Sequence, residues 1–167
     1  PRIAFIQLGS LGHWGEWHTW PTGTGVFPDI HTSDFYVTHY LENFTNKMIG
    51  LRRPFAIATN HKLGLFNALF GHQPSTDEWI DWFTNGRSPL EPPMPDFWKH
   101  AYSGGEFSNG NALLHLTDDK IADTLRQARE SHTSWLGPCS PAHLKVGIPE
   151  QPNLDALLKT IGYRFVL

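Results

Sequence analysis

Short apolar runs alternate with amphipathic stretches along most of the chain. The runs are nearly continuous, which is typical of strands buried on both faces of a parallel sheet. Five of them come before the end of the chain, at residues 3–9, 54–59, 63–70, 97–102 and 133–137. The amphipathic stretches predict four helices, at about residues 33–50, 75–86, 117–128 and 154–161. This alternation favours β/α units around a parallel sheet, organised as one domain.

Two segments have no periodicity. Residues 10–28 follow the first predicted strand, and their many Gly, Trp and His residues are typical of a long functional loop. Residues 88–95 contain four prolines, which predict irregular structure. A further strand pattern, at residues 163–167, closes the sequence.

Charge and composition narrow the class of partner. A net charge of -3 provides no basic stripe for a phosphate backbone, so we expect no nucleic-acid partner. No apolar run reaches the length of about 20 residues that a membrane span needs, so we predict no membrane partner. The single cysteine, Cys139, permits no internal disulfide and leaves the compartment open. No secretory signal is visible, and a secreted or periplasmic location stays compatible with the sequence.

Aromatic residues are the informative part of the composition. The chain has seven Trp and eleven Phe, although only 17% of its residues are charged. Trp combines a flat apolar face with a polar edge, which suits sugar rings as well as protein cores. Trp14, Trp17 and Trp20 are therefore candidates for a sugar platform or for packing of the loop. Trp79 and Trp82 are predicted to belong to the buried face of a helix.

Two glutamates, each preceded by glycine, lie near the carboxyl ends of predicted strands. Glu16 comes after the first strand and Glu106 after the fourth. In parallel β/α proteins the functional groups lie at these ends of the strands. Glycosidic bond cleavage requires one carboxyl group that donates a proton and one that stays ionised. The alternative is that either glutamate is a surface or hydrogen-bonded structural residue, and spacing alone does not separate the two interpretations.

The stretch Ile3–His18, which includes Trp-Gly-Glu-Trp-His, resembles the fourth-strand motif of a family of glycoside-hydrolase-like (β/α)8 barrels described as a domain of unknown function. That family is similar in layout to the clan A retaining glycosidases. Residues 65–71 and 135–138 resemble its strands six and eight. The resemblance covers nearly the whole chain. It implies an α/β fold that corresponds to about strands four to eight of a TIM (β/α)8 barrel.

The same resemblance implies roles for individual residues. Glu16 matches the acid/base position and Glu106 the nucleophile position. Gly15 stands where the clan usually has asparagine, so the contact to the sugar 2-hydroxyl needs another donor, for which His18, Asn60 and Asn67 are candidates. The residues predicted to bind substrate are Trp14, Trp17, His18, Asn67 and Trp135.

The length of the chain predicts a fragment. Its 167 residues fall short of the roughly 250 residues of a complete barrel. We therefore expect residues 1–162 to form a partial barrel and residues 163–167 to be the start of a following strand or a truncated C-terminal segment. Closure of the barrel then requires the missing N-terminal half or self-association.

Histidines near Glu16 raise a metal-binding alternative. His13, His18 and His31 are, with Glu16, residue types that bind zinc. Their spacing matches no established ligand pattern, and ten histidines in one chain make local pairs common by chance. We predict no metal and no cofactor.

The sequence thus predicts a glycoside hydrolase that cleaves O-glycosidic bonds of an oligosaccharide or glycoside substrate. A gap of about 5 to 5.5 Å between the two carboxyl groups permits retention, and a wider gap permits inversion. A noncatalytic carbohydrate-binding barrel and an inactive structural fragment are the alternatives.

Overall fold

The computed structural model describes residues 3–21, 25–137 and 147–161. Five parallel strands form one sheet, and their order in the sheet follows their order in the chain. The strands are β1 (Phe5–Gln7), β2 (Met48–Leu51), β3 (Gly64–Phe70), β4 (Ser103–Phe107) and β5 (Trp135–Leu136). The predicted α/β class with parallel strands is confirmed.

One α-helix follows each strand. These helices are α1 (Ile30–Asn43), α2 (Ala56–His61), α3 (Gln73–Asn85), α4 (Ile121–Glu130) and α5 (Gln151–Thr160). Trp79 and Trp82 are buried on α3, which confirms their predicted place on its inner face. No helix in the described part of the chain has the length and apolar character needed to cross a membrane.

Two of the five predicted strands are misplaced. The run at residues 54–59 forms most of α2 instead, so the predicted strand there is wrong. The second strand is β2. The predicted helix at 33–50 wrongly included the first three of its four residues. Residues 97–102 contain a 3₁₀ turn, Phe97–Lys99, and the fourth strand begins only at Ser103. Glu106 therefore lies within β4 rather than after a strand.

Some predicted helix starts also shift. α1 begins at Ile30 because the side chain of Asp29 accepts a hydrogen bond from Thr32 N at 2.8 Å and caps the first turn. Asn153, predicted as the cap of the last helix, lies inside α5. Its side chain donates instead to Leu116 O at 2.7 Å. The predicted strand at residues 163–167 and Cys139 lie outside the described residues.

The chain divides into two compact units. The first comprises the described residues of Pro1–Phe66 and Trp82–Tyr102. In this unit the ring of Tyr102 lies over two strand glycines, since a Cβ on Gly50 would stand 2.1 Å from the Tyr102 hydroxyl. A Cβ on Gly64 would stand 2.6 Å from the Tyr102 carbonyl oxygen. Burial of the ring raises the pKa of the Tyr102 hydroxyl.

The second unit comprises the described residues of Asn67–Asp81 and Ser103–Leu167. Phe70 of β3 and Phe107 of β4 meet edge to face in its core, with ring centroids 5.3 Å apart. His115 stacks on Phe107, and burial lowers the pKa of its imidazole. The buried residues of this core are Phe70, Phe107, Ala112, Leu116, Ala128, Leu154 and Leu157.

Candidate active site

The loop after β1 folds back on itself and presents Glu16. Leu8 N donates to Gly50 O at 2.9 Å and so continues the pairing of β1 with β2. His13 N donates to His18 O at 2.8 Å, and Trp17 N donates to Leu11 O at 2.9 Å. These backbone hydrogen bonds close a compact turn at the carboxyl end of β1, where functional groups of β/α proteins lie.

Gly15 allows this turn to form. Its φ is +73°, and a Cβ there would stand 1.8 Å from the carbonyl oxygen of Gly9. No side chain fits in that space, and glycine adopts a positive φ without the strain that a Cβ atom brings. The structure thus gives a physical reason why asparagine cannot precede Glu16 in this chain.

The carboxyl group of Glu16 is largely enclosed and has two basic partners. Its Oε2 lies 3.0 Å from His18 Nε2 and 3.3 Å from Arg52 NH1. The same Arg52 nitrogen donates to the backbone carbonyl of Glu16 at 3.1 Å. Only 16% of the Glu16 side chain is exposed. Both contacts fall on one carboxyl oxygen, so neither partner occupies Oε1.

Arg52 is the residue of this cluster that the sequence analysis missed. It directly follows β2 and is buried, and it fixes both the backbone and the side chain of Glu16. A basic residue at the carboxyl end of a strand would have been a signal, but β2 was predicted as the end of a helix. The misplaced strand therefore concealed the residue.

The two tryptophans that flank Glu16 have different environments. The Trp14 side chain is 73% exposed, and its ring centroid lies 6.2 Å from that of His18. Trp17 is only 1% exposed, and its indole Nε1 donates to Leu8 O at 2.7 Å. Its ring packs against those of Phe27, Tyr36 and Phe55. Trp14 can therefore offer a face to a ligand, whereas Trp17 is a packing residue of the loop.

Glu106 is the fourth residue of β4 and is half-buried. Successive side chains of a strand point to opposite faces, so Glu106 shares a face with Gly104. A Cβ on Gly104 would stand 2.4 Å from Cε3 of Trp135, the residue that pairs with it on β5. The indole of Trp135 thus lies on the same face of the sheet as Glu106.

The opposite face of β4 meets Asn67. A Cβ on Gly105 would stand 2.5 Å from the carbonyl oxygen of Asn67. The Asn67 side chain donates to Thr76 Oγ1 of α3 at 3.0 Å and accepts from Leu69 N at 2.9 Å. Asn67 is buried with both ends of its amide bonded, so it holds α3 to β3 rather than a ligand. We exclude it from the proposed substrate contacts on this ground.

The described residues contain no group of three His, Cys, Asp or Glu side chains placed to hold a metal ion. His13, one member of the metal-binding alternative, accepts a hydrogen bond from Trp20 N through its Nδ1. His18 contacts Glu16 and Trp14. Within this loop the two imidazoles thus serve in hydrogen bonding and ring contacts.

Comparisons with protein-family models, curated proteins and solved structures gave no match. The residues at the two strand ends and their neighbours are therefore the basis on which a function can be proposed.

Proposed function

We propose that this protein is the C-terminal part of a (β/α)8 barrel and hydrolyses O-glycosidic bonds with retention of configuration. Glu16 is the proposed acid/base and Glu106 the proposed nucleophile. The observation that carries the proposal is the exposed indole of Trp14 beside the His18–Glu16 pair. A flat aromatic face next to a carboxyl group and an imidazole suits the apolar face and the hydroxyls of a sugar ring.

In the first step the Glu106 carboxylate attacks the anomeric carbon, and the bond to the leaving oxygen breaks. That oxygen takes the proton of Glu16. Water then attacks the glycosyl-enzyme, Glu16 accepts a proton from this water, and the bond to Glu106 breaks. Oε1 of Glu16 is the oxygen proposed to exchange these protons, because the contacts of His18 and Arg52 fall on Oε2.

The neighbours of Glu106 support its part in the proposal. The side chain of Glu106 lies on the face of β4 opposite Asn67 and α3. The indole of Trp135 lies on the same face as Glu106. A carboxylate that shares a sheet face with an indole, opposite α3, is a suitable environment for a sugar. Trp135 is accordingly the proposed second aromatic contact.

A noncatalytic carbohydrate-binding protein is the second candidate. The observation that favours it is the ion pair of Arg52 with Glu16. A guanidinium paired with a carboxylate is a contact that holds a side chain in place and requires no proton transfer, so it suits a binding protein. A binding protein needs only the aromatic face and the hydrogen-bonding groups, whereas the hydrolase also needs a Glu16 that cycles through its protonated form.

Replacement of Glu16 by Gln separates these candidates. For a hydrolase we expect kcat/KM to fall about 10²- to 10⁴-fold on glycosides with poor leaving groups, because they require protonation. On aryl glycosides with acidic phenol leaving groups the loss of kcat/KM is expected to be far smaller. Steady-state kinetics over a series of leaving groups measures this difference.

Glu91→Gln is the matched control, since Glu91 is also a largely enclosed glutamate paired with an arginine, Arg53 at 3.1 Å. It should leave the leaving-group dependence unchanged. A parent protein that binds sugars without turnover, with binding retained in Glu16→Gln, would favour the binding protein. An equal loss of kcat/KM across all leaving groups would argue against Glu16 as the acid.

Replacement of Trp14 by Ala tests the aromatic platform. We expect a loss of about 1 to 2 kcal/mol in binding of the preferred sugar, or about 5- to 30-fold in Kd. Glycan-array screening of the parent selects the sugar, and calorimetric titration measures the two affinities. Trp98→Ala is the control, because Trp98 is also exposed but lies outside the loop between β1 and α1. Equal affinities in the parent and Trp14→Ala would remove Trp14 from the site.

A further inference from the structure

A cavity of about 540 Å³ lies at the amino-terminal ends of the strands in the first unit. Met48 and Ile49 line it at the start of β2, and Leu63 lines it just before β3. Glu16 lies beyond the carboxyl end of β1, so the two sites lie at opposite ends of these parallel strands. The cavity therefore has no part in the proposed glycosidic chemistry.

The charged and titratable side chains that line this cavity are all basic. They are Lys47, His61, Lys62, Lys99 and His100. Three of the six lysines in a chain of net charge -3 thus gather around one cavity. No carboxylate is among its described lining residues, so its electrostatic potential favours an anion.

Two of the three lysines have no ion pair within the described part of the chain. Lys99 contacts Asp96 at 2.7 Å, whereas Lys47 and Lys62 have no carboxylate within 4 Å among the described residues. Among the histidines of the cavity, His61 interacts electrostatically with Asp34. At least two ammonium groups thus remain for an external anion.

The remaining wall of the cavity is mostly apolar. It is formed by Leu41, Phe44, Met48, Ile49, Leu63 and Ala101, with Thr45. Cavities of about 300 to 1,000 Å³ with apolar walls and a few polar groups are typical of small-molecule sites. Ammonium groups bind phosphate and sulfate oxygens through charge-assisted hydrogen bonds.

We propose that this cavity binds a small organic molecule that carries a phosphate or sulfate group. Lys47 and Lys62 contact the oxyanion, and the apolar wall packs against the body of the molecule. The site is independent of Glu16 and Glu106, and its ligand is not a product or substrate required by the proposed hydrolysis.

Phenyl phosphate, phenyl sulfate, inorganic phosphate and neutral benzyl alcohol are suitable probes in calorimetric titration of the whole chain. We expect saturable binding of an aryl oxyanion, weaker binding of inorganic phosphate and none of benzyl alcohol. The paired change Lys47→Gln with Lys62→Asn should weaken binding at least about tenfold, because two charged hydrogen bonds are lost. Asn is chosen because Lys62 has a φ of +54°, which Asn tolerates.

The matched variant Lys47→Arg with Lys62→Arg keeps the charges and should keep the affinity. Lys120→Gln removes a lysine that does not line the cavity and should change nothing. A preference for phenyl phosphate over phenyl sulfate, or the reverse, identifies the ester class and supports the proposal. Absence of saturable binding of both aryl oxyanions, or equal affinity in the Gln/Asn variant, would overturn it. Binding to a polyanionic oligonucleotide alone would overturn it too, in favour of a polymer partner.

The experiment is also separable from the test of hydrolysis. Glu16→Gln should bind phenyl phosphate as the parent does. If no aryl oxyanion binds, the dependence of kcat/KM on the leaving group is unaffected. If the protein shows no turnover of glycosides, the binding of aryl oxyanions is unaffected.

Discussion

Glu106→Ala is expected to abolish turnover of glycosides, and added azide is expected to restore part of it. The variant removes the proposed nucleophile, so no glycosyl-enzyme can form. Azide can enter the space that the side chain leaves and attack the anomeric carbon from the same side. A carbon–nitrogen bond then forms, the glycosidic bond breaks, and the leaving oxygen takes the proton of Glu16. The product is a glycosyl azide of inverted configuration.

Mass spectrometry identifies this azide, and NMR of its anomeric proton gives its configuration. Glu130→Ala is a suitable control, because Glu130 is an exposed residue at the end of α4 that pairs with Arg126. It should leave turnover unchanged. Full turnover in Glu106→Ala would refute the nucleophile assignment. Loss of turnover without azide rescue, together with a lower melting temperature than the parent, would show that Glu106 acts through stability.

Gly15→Ala is expected to destabilise the protein by about 3 to 5 kcal/mol, the largest effect on stability proposed for this chain. The new methyl group would overlap the carbonyl oxygen of Gly9, 1.8 Å away, at a φ of +73°. Both atoms belong to backbone positions that cannot rotate aside, so the β1 loop must shift to admit the methyl group. Denaturant unfolding measures the loss, and the contacts of Glu16 with Arg52 should be lost with it.

Two other glycines separate the causes of this loss. Gly147 has a φ of +88°, and a Cβ added there would meet nothing within 4 Å, so Gly147→Ala reports the backbone strain alone. Gly9 has room for a methyl group, with Gly15 O at 3.9 Å, so Gly9→Ala should be nearly neutral. A Gly15→Ala variant no less stable than Gly147→Ala would contradict the proposed overlap.

The sequence pattern predicted the strands that are apolar and bounded by clear breaks. β3 is a seven-residue run, Gly64–Phe70, that Gly71 follows, and its burial on both faces matches the continuous pattern. β5 also lies within its predicted segment. The α/β class followed from these and from the amphipathic helices, whose periodicity is a local property.

The failures concern segments whose conformation depends on distant residues. β4 contains two glycines, which are poor strand formers, yet no larger residue fits between Trp135 on one face and Asn67 on the other. β2 has four residues directly after a helical stretch, too few for a period to show. The apolar run at residues 54–59 suits a buried helix as well as a strand, and a short run does not decide between them.

The candidate site was predictable only in part for the same reason. Glu16 and Glu106 could be named because each follows glycine near the end of a predicted strand. The contact of Arg52 with Glu16 could not, since it joins residues 36 positions apart across two paired strands. The opposite environments of Trp14 and Trp17 also depend on the folded loop, in which both residues have a positive φ but only Trp17 is buried.

The glycine pair before Glu106 bears on how this protein can evolve. Gly104 and Gly105 are closed to larger side chains by Trp135 and by the Asn67 backbone, so β4 can change little without loss of the sheet. The exposed side chain of Trp14 faces no such limit. Natural variants that prefer a different sugar should therefore differ first in the loop after β1. The sequence of β4, which contains Glu106, should change more slowly.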